Sequence, residues 1–253
     1  MKVFGLLVLF IWCLTGYSLG QEVKCGYYPD GKLRYKGYFN NGKPEGKLIR
    51  YYPEGNVKAK MNYRGDTVDV VLYNRKGDCV ITGKYFQKKK TGIWTTCREN
   101  RLIAREEYQN DLLNGKSIRY TEAGGVAEEK HWKGGKPDGV WKLFFPDGKL
   151  KLQTYYVAGE LEGSMISYFP EEKLRARGKY RSNLREGVWE FYNIAGELVK
   201  KQIYHKGMPE DAGEREIEES RQLDILIKSG KKIPDPAVFA DDPEAYMKLT
   251  GIE

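Results

Sequence analysis

GGKPDGVWKLFFPDGKL, residues 134–150, sets two glycine-bearing segments on either side of a short aromatic run. Its Lys136-Pro137-Asp138-Gly139 stretch is either a loop that carries chemistry or a turn of the chain. Self-comparison decides between them. Stepping from Gly139 in units of 23 or 24 residues lands on Gly46, Asp69, Gly92, Gly115, Gly163, Gly187 and Asp211. Four residues earlier stand Gly42, Gly65, Gly135, Gly159 and Gly207, with Lys88, Asp111 and Asn183 in the remaining places. A fixed period of this length is the signature of a repeat protein.

The other positions of the unit keep the same register. Two residues after the anchor come Leu48, Val71, Trp94, Ser117, Trp141, Met165 and Trp189. A second turn such as YPEG, FPDG or NIAG follows, then an apolar residue (Val57, Leu102, Val126, Leu150, Leu174, Leu198), and each unit closes on an aromatic such as Tyr85, Trp132 or Tyr180. Short runs rich in aromatic and β-branched residues, bounded by Gly, Pro, Asp and Asn, predict strands joined by hairpin turns. Glycine supplies the positive φ such turns need, and Asp69 and Asp211 are expected to visit the same left-handed region. The Lys-Pro-Asp-Gly stretch is therefore expected to be a recurring turn.

One hairpin buries too little to stand alone. Stacked side by side, the hairpins predict an all-β, elongated, single-layer antiparallel sheet in which each ~23–24-residue unit leans on its neighbours. In Val140-Trp141-Lys142-Leu143-Phe144 apolar groups point to both faces, which suits a sheet exposed on both sides and held by aromatic ladders.

The combined pattern, with DGKL, a Gly-Lys-x-Asp/Glu-Gly-x-Trp core and a closing Tyr/Phe-Pro-x-Gly, resembles the MORN-repeat variant. The resemblance spans about residues 28–207, seven units and a final half unit, and is best at 135–150 and 187–198. It is weakest around Asp69 and Asn100, where CRENRL stands in place of YYPDGKL. This variant occurs in bacterial proteins commonly described as antitoxin components of toxin–antitoxin pairs. The resemblance implies a non-catalytic scaffold used in protein or membrane association.

The ends of the chain read differently. Lys2 precedes an apolar stretch from Val3 to Leu14, followed by Ser18 and Gly20 at the places of a small-residue cleavage site. Its roughly 12 apolar residues fall short of the ~20 a spanning helix needs, so residues 1–20 read as a signal peptide and the mature chain as beginning at Gln21. The expected localisation is exported: periplasmic, cell-surface or extracellular. Export permits a disulfide, but the pattern does not choose among Cys25, Cys79 and Cys97.

After Gly207 the period changes. Residues 208–253 carry 6 Lys/Arg and 12 Asp/Glu, a net of −6, whereas residues 21–207 carry 36 and 23, a net of +13. Early Asp/Glu, Lys228 and Gly230 mark one helix, and Asp242, Pro243 and Gly251 a second. This acidic tail is expected either to cap the last strand or to fold over the basic body and compete with an acidic partner. The domain reading is thus a signal peptide (1–20), a repeat domain (21–207) and an acidic helical tail (208–253).

Catalysis needs convergent groups, and the sequence offers none. His131 and His205 fall in different units; Cys-x-x-Cys and His-Glu-x-x-His are missing, and Gly-x-Ser-x-Gly occurs only as GYSLG at 16–20, inside the signal-peptide segment; GGKPDG lacks the Lys-Ser/Thr ending of a phosphate loop. Asp138 and Asp147 fall at opposite ends of one strand, too far apart for acid–base partnership. No enzyme activity, cofactor or metal is expected. Binding is the class that fits. Trp94, Trp141 and Trp189 recur at one position and form either a ligand-facing stripe or the sheet's own ladder. Lys88, Lys89, Lys90, Arg175, Arg177, Lys179 and Arg181 would give a face affinity for anionic groups. The expected partner is a protein or an anionic surface, with no nucleic acid, for a monomeric chain. The alternative is an aromatic hairpin module that binds carbohydrate or cell wall.

Overall fold

The computed structural model describes residues 20–211 and Gly213. The signal-peptide segment and the two tail helices lie outside the described residues. The chain divides into two compact units, 1–114 and 115–253.

In the first unit the strands are β1 (Glu22–Tyr27), β2 (Leu33–Asn40), β3 (Lys43–Tyr51), β4 (Val57–Arg64), β5 (Thr67–Tyr73), β6 (Cys79–Phe86), β7 (Lys89–Arg98) and β8 (Arg101–Gln109). Each pairs antiparallel with its chain neighbour. The division falls inside β9 (Leu112–Tyr120). The second unit continues with β10 (Val126–Lys133), β11 (Lys136–Phe144), β12 (Leu150–Val157), β13 (Glu160–Leu161), β14 (Gly163–Tyr168), β15 (Leu174–Arg181), β16 (Leu184–Tyr192), β17 (Leu198–His205) and β18 (Met208–Pro209). It repeats the same antiparallel order. Each unit is an open antiparallel sheet, and pairing runs two residues past Gly207, into what reads as tail.

Two turn types alternate. In the YPDGKL type, as at 28–32 and 145–149, two backbone bonds close a tight turn, with Phe145 N–H donating to Lys149 at 2.8 Å and Gly148 N–H to Phe145 at 2.9 Å. Gly148 has φ +85°, the left-handed place of a bulged hairpin turn. The second type has two residues, both left-handed in Asn41-Gly42, Gln87-Lys88, Asn110-Asp111, Gly134-Gly135, Ala158-Gly159, Ser182-Asn183 and Lys206-Gly207, and with only Gly65 left-handed in Gly65-Asp66; the alternation breaks at β7–β8, where Glu99-Asn100 forms a left-handed two-residue turn in place of the first type. This mirror-image turn matches the twist of the strands it joins.

The anchor glycines are not in these turns. Gly139 lies inside β11, and the expectation that Lys136–Gly139 forms a turn is corrected by the register. Lys130 pairs with Trp141 and Trp132 with Pro137, so three residues, Asp138–Val140, face His131 alone. The strand carries two extra residues in a bulge, where Gly139 takes φ +111°. The same shift places Gly46, Gly92 and Gly187 in bulges of β3, β7 and β16. Asp69 is corrected as well. It sits in unbulged β5, paired with Asn62 and Lys84, and its backbone is extended. Asp211 is not left-handed either. The first unit has simply lost one bulge, and with it two residues.

In the second unit the acid preceding Gly139, Gly163 and Gly187 also acquires a role. Asp138 accepts a hydrogen bond from Ala158 N–H at 3.2 Å, Glu162 from Ser182 N–H at 2.9 Å and Glu186 from Lys206 N–H at 2.9 Å. These N–H groups belong to the first residue of the next two-residue turn. The Asp/Glu-Gly pair therefore fastens one hairpin to the following one.

Candidate interaction surface

The bulge aims the residue after it at the preceding strand. In the first unit the register aligns Gly37, Leu48, Met61, Val70 and Gly83 in one row across the strands, and the Trp94 ring packs on Gly83 within the bulge. In the second, Ser117, Lys130, Trp141 and Thr154 line up likewise, and Trp189, paired with Gln202, packs on Gly178. The side carrying these rows is called the ladder face. Gly83 and Gly178 leave room for the indoles: a Cβ there would stand 2.2 Å from Trp94 and 2.3 Å from Trp189.

Trp94 and Trp189 are each packed edge-on between aromatics, whereas Trp141 meets Tyr156 at a tilt of 50°. Trp94 lies 4.9 Å from Tyr85 and 6.3 Å from Tyr108, and Trp189 lies 5.1 Å from Tyr180 and 6.1 Å from Tyr204. A cation closes each group. Lys90 Nζ is 4.6 Å from the Trp94 ring and 4.7 Å from Tyr108, and the Arg185 guanidinium is 4.7 Å from Trp189. Trp94 and Trp189 are 5 % and 0 % exposed. Of the two roles open to the tryptophans, the geometry of these two is that of the ladder, because a buried ring offers no face to a ligand.

The Trp141 group differs in its cation. Lys130 occupies the place that glycine holds in the other rows, with Nζ 4.6 Å from the Trp141 ring. Glu128 accepts from Trp141 Nε1 at 2.7 Å and lies 3.6 Å from Lys130 Nζ. Burial pushes the Lys130 ammonium below the usual lysine range, against the pull of Glu128.

The basic candidates fall in two separate sets. Lys88 occupies a two-residue turn, Lys89 begins β7, and Lys90 is spent on Trp94, with its own N–H donating to Asp111 at 2.7 Å. In β15 the alternation is strict. Ala176 is buried, whereas Arg175, Arg177, Lys179 and Arg181 are all exposed on the side away from the ladder face. Acids in β16 temper this row. Arg177 bonds Glu190, which holds that carboxyl below its ordinary range with help from Tyr192, and Arg181 Nη1 lies 3.9 Å from Glu186.

The sequence did not single out the apolar groups beside this row. Tyr155, Ile166 and Val188 line an open groove with Arg177 and Lys179, and Ile203 pairs with Val188 in the next strand. Val188 is 45 % and Ile203 36 % exposed. The signal was present: Val188 is the middle residue of a Gly-x-Trp, which the bulge turns away from the ladder face.

The remaining titratable groups are structural in their contacts. His131 Nδ1 is 3.2 Å from the Val140 carbonyl oxygen, and Asp147 accepts from Lys149 N–H within its own turn. Cys25, Cys79 and Cys97 are free thiols, with burial, and then the neighbouring Cys97, raising the Cys79 pKa. Among the described residues no cluster of His, Cys, Asp or Glu is suited to hold a metal ion, and no helix is long and apolar enough to cross a membrane.

Three segments, residues 24–41, 44–64 and 137–158, match the MORN repeat variant. Stretch 187–198, which reads as one of the two best units, is outside these matches. The match identifies the repeat and carries no link to a toxin–antitoxin pair. No curated protein matches the chain.

Proposed function

We propose that this chain is an exported, non-catalytic repeat scaffold that associates with a protein partner or an anionic surface through the side of β14–β17 opposite the ladder face. The observation that carries this reading is the alternation of β15, which presents Arg175, Arg177, Lys179 and Arg181 together beside exposed Val188 and Ile203. Four cations spaced two residues apart extend over about 20 Å. Glu186 and Glu190 neutralise part of that row, which favours a partner offering both charge and apolar contact. The carbohydrate alternative loses its stripe of rings, since Trp94 and Trp189 are buried; Tyr155 is the aromatic left for it in the groove.

The test is co-sedimentation with vesicles containing anionic lipid, and with neutral ones, across a salt series. Exposed charges are screened beyond ~8 Å at physiological ionic strength, so binding through the row falls steeply with salt. Arg175→Ala combined with Arg177→Ala, Lys179→Ala and Arg181→Ala should abolish it. Salt-insensitive binding to an insoluble glycan, lost in Tyr155→Ala and kept in the fourfold variant, would replace this reading with the alternative.

A further inference from the structure

One contact of the repeat changes its chemistry at β6 and β7. Elsewhere an aliphatic and an aromatic residue lie just beyond the end pair of two neighbouring strands. Val57 and Tyr73 follow the pair Ala59–Leu72, Leu150 and Tyr168 follow Leu152–Ser167, and Leu174 and Tyr192 follow Ala176–Phe191. The same count past Ile81–Thr96 gives Cys79 and Cys97. All these side chains are half-buried. A pair of thiols is a poor replacement for packing, because both partners lose bulk at once.

The register brings the two cysteines together. From β5 the pairing passes from Leu72–Ile81 to Tyr73–Cys79, so Val80 is a surplus residue of β6. With Val80 set aside, the step from Ile81 to Cys79 matches the step from Thr96 to Cys97. Cross-strand ties hold the pair on both sides. The Thr82 and Thr95 hydroxyls share a hydrogen bond inward of it, and Asn100 Nδ2 donates to Asp78 Oδ1 at 3.1 Å outward of it. Facing residues of antiparallel strands have Cα atoms about 4.5–5.5 Å apart, and a disulfide spans about 4.4–6.8 Å. Burial and, after it, the charge of Cys97 raise the Cys79 thiol, so the two groups act on one another. Cys25 is exposed in β1 and paired with Lys36 of β2.

From this juxtaposition we infer that Cys79 and Cys97 are a redox pair that closes into a disulfide between β6 and β7, with Cys25 left out. The oxidant is a low-molecular-weight disulfide. One cysteine thiolate attacks a sulfur of the donor, forming a mixed disulfide and releasing one donor thiolate. The other thiolate then attacks the protein sulfur of that mixed disulfide and releases the second. The pair gives up two electrons, the donor takes them, and the two thiol protons end on the released thiolates. The bond stands where the repeat is irregular, between unbulged β5 and the Glu99-Asn100 turn, and it takes over the contact that packing makes elsewhere. It rests on strand register and not on the binding proposal.

The test incubates the reduced full chain with oxidised glutathione, once folded and once in concentrated urea. Remaining thiols are then alkylated and tryptic peptides mapped by mass. In the folded chain the Cys79–Cys97 peptide, lighter by two hydrogens than its parts, should outnumber either pairing with Cys25 about tenfold or more. In urea the preference should disappear, which shows that the fold selects the pair. Folded Cys79→Ser should form no internal bridge at all. Recovery of Cys79 and Cys97 as alkylated thiols or separate glutathione adducts in the folded wild type would overturn the inference. So would equal pairing among the cysteines in the folded and unfolded chains, or a bridge from Cys25 in the Cys79→Ser variant.

Discussion

Adding one methyl group at Gly178 should cost more than most core truncations of its size. Gly178 has an extended backbone, so its lack of a side chain answers to space and not to φ. A Cβ there would lie 2.3 Å, 2.4 Å and 2.6 Å from three atoms of the Trp189 ring. That ring is held by Tyr180, Tyr204 and Phe191 and by a bond from Nε1 to the Lys179 carbonyl at 3.1 Å, so it has no free direction in which to yield. Overpacking of this kind costs about 1–3 kcal/mol, and full expulsion of the indole approaches the 3–5 kcal/mol typical of Trp→Ala. Relief of glycine's backbone entropy returns only about 0.5–1 kcal/mol. The expected net loss for Gly178→Ala is about 2 kcal/mol in urea unfolding followed by tryptophan fluorescence. Gly125→Ala is the control, because its added Cβ meets nothing nearer than 3.5 Å and its φ is not left-handed. A double-mutant cycle completes the measurement: in a Trp189→Ala background the extra cost of Gly178→Ala should vanish. Wild-type stability for Gly178→Ala, or equal losses at Gly178 and Gly125, would refute the packing argument.

Gly139→Val should lose about 1–2 kcal/mol, since φ +111° is closed to a β-branched residue, whereas Asp69→Val forfeits only exposed ion pairs with Arg64 and Lys84. Equal losses in the same urea assay would contradict the bulge assignment. Lys130 should make stability rise with pH. Its folded pKa lies below the usual lysine value, so over the alkaline range between the two the unfolded chain holds more protons, and raising pH favours the folded state. Urea titrations at successive alkaline pH values should show this rise in the wild type relative to Lys130→Met; identical slopes would count against the burial of that ammonium. Maleimide labelling near pH 8 should modify exposed Cys25 well before Cys79, whose thiol is raised by burial, with peptide mass mapping to assign the order.

The repeat and the turns were legible because the residues that close them are chemically restricted. Asn41-Gly42 and Phe145–Lys149 announce themselves through φ requirements that few side chains meet. The bulges were not separable from the turns on the same evidence: Gly139 and Gly135 both need positive φ, and residue type alone cannot say which lies within a strand. Strand length would have told them apart, since β11 has nine residues where unbulged β5 has seven. Gly37, Gly83 and Gly178 were passed over because they break no backbone rule. Their signal is relational, each standing eleven residues before Leu48, Trp94 or Trp189. The candidate surface was half legible. Alternation placed Arg175–Arg181 on one side, but the tryptophans share their register with the ladder, and only burial distinguishes a ring that packs from one that binds.

The bulge imposes a rule of parity on how this chain can change length. Its two extra residues leave every later side chain on the side it held before, whereas one residue gained or lost within a strand would invert the rest of that strand. From Asp66 to Lys88 the interval between successive two-residue turns is 22 instead of the 24 found between Gly42 and Asp66, and the missing pair is the bulge of β5. The single odd interval, Lys88 to Asp111, is absorbed where the register is already interrupted: Thr96 faces Ala104, eight positions on, while the other hairpins, such as Arg50 and Ala59, span nine. Even changes belong to strands and odd ones to hairpin ends. A lineage, or a designer, lengthening this sheet must count by twos.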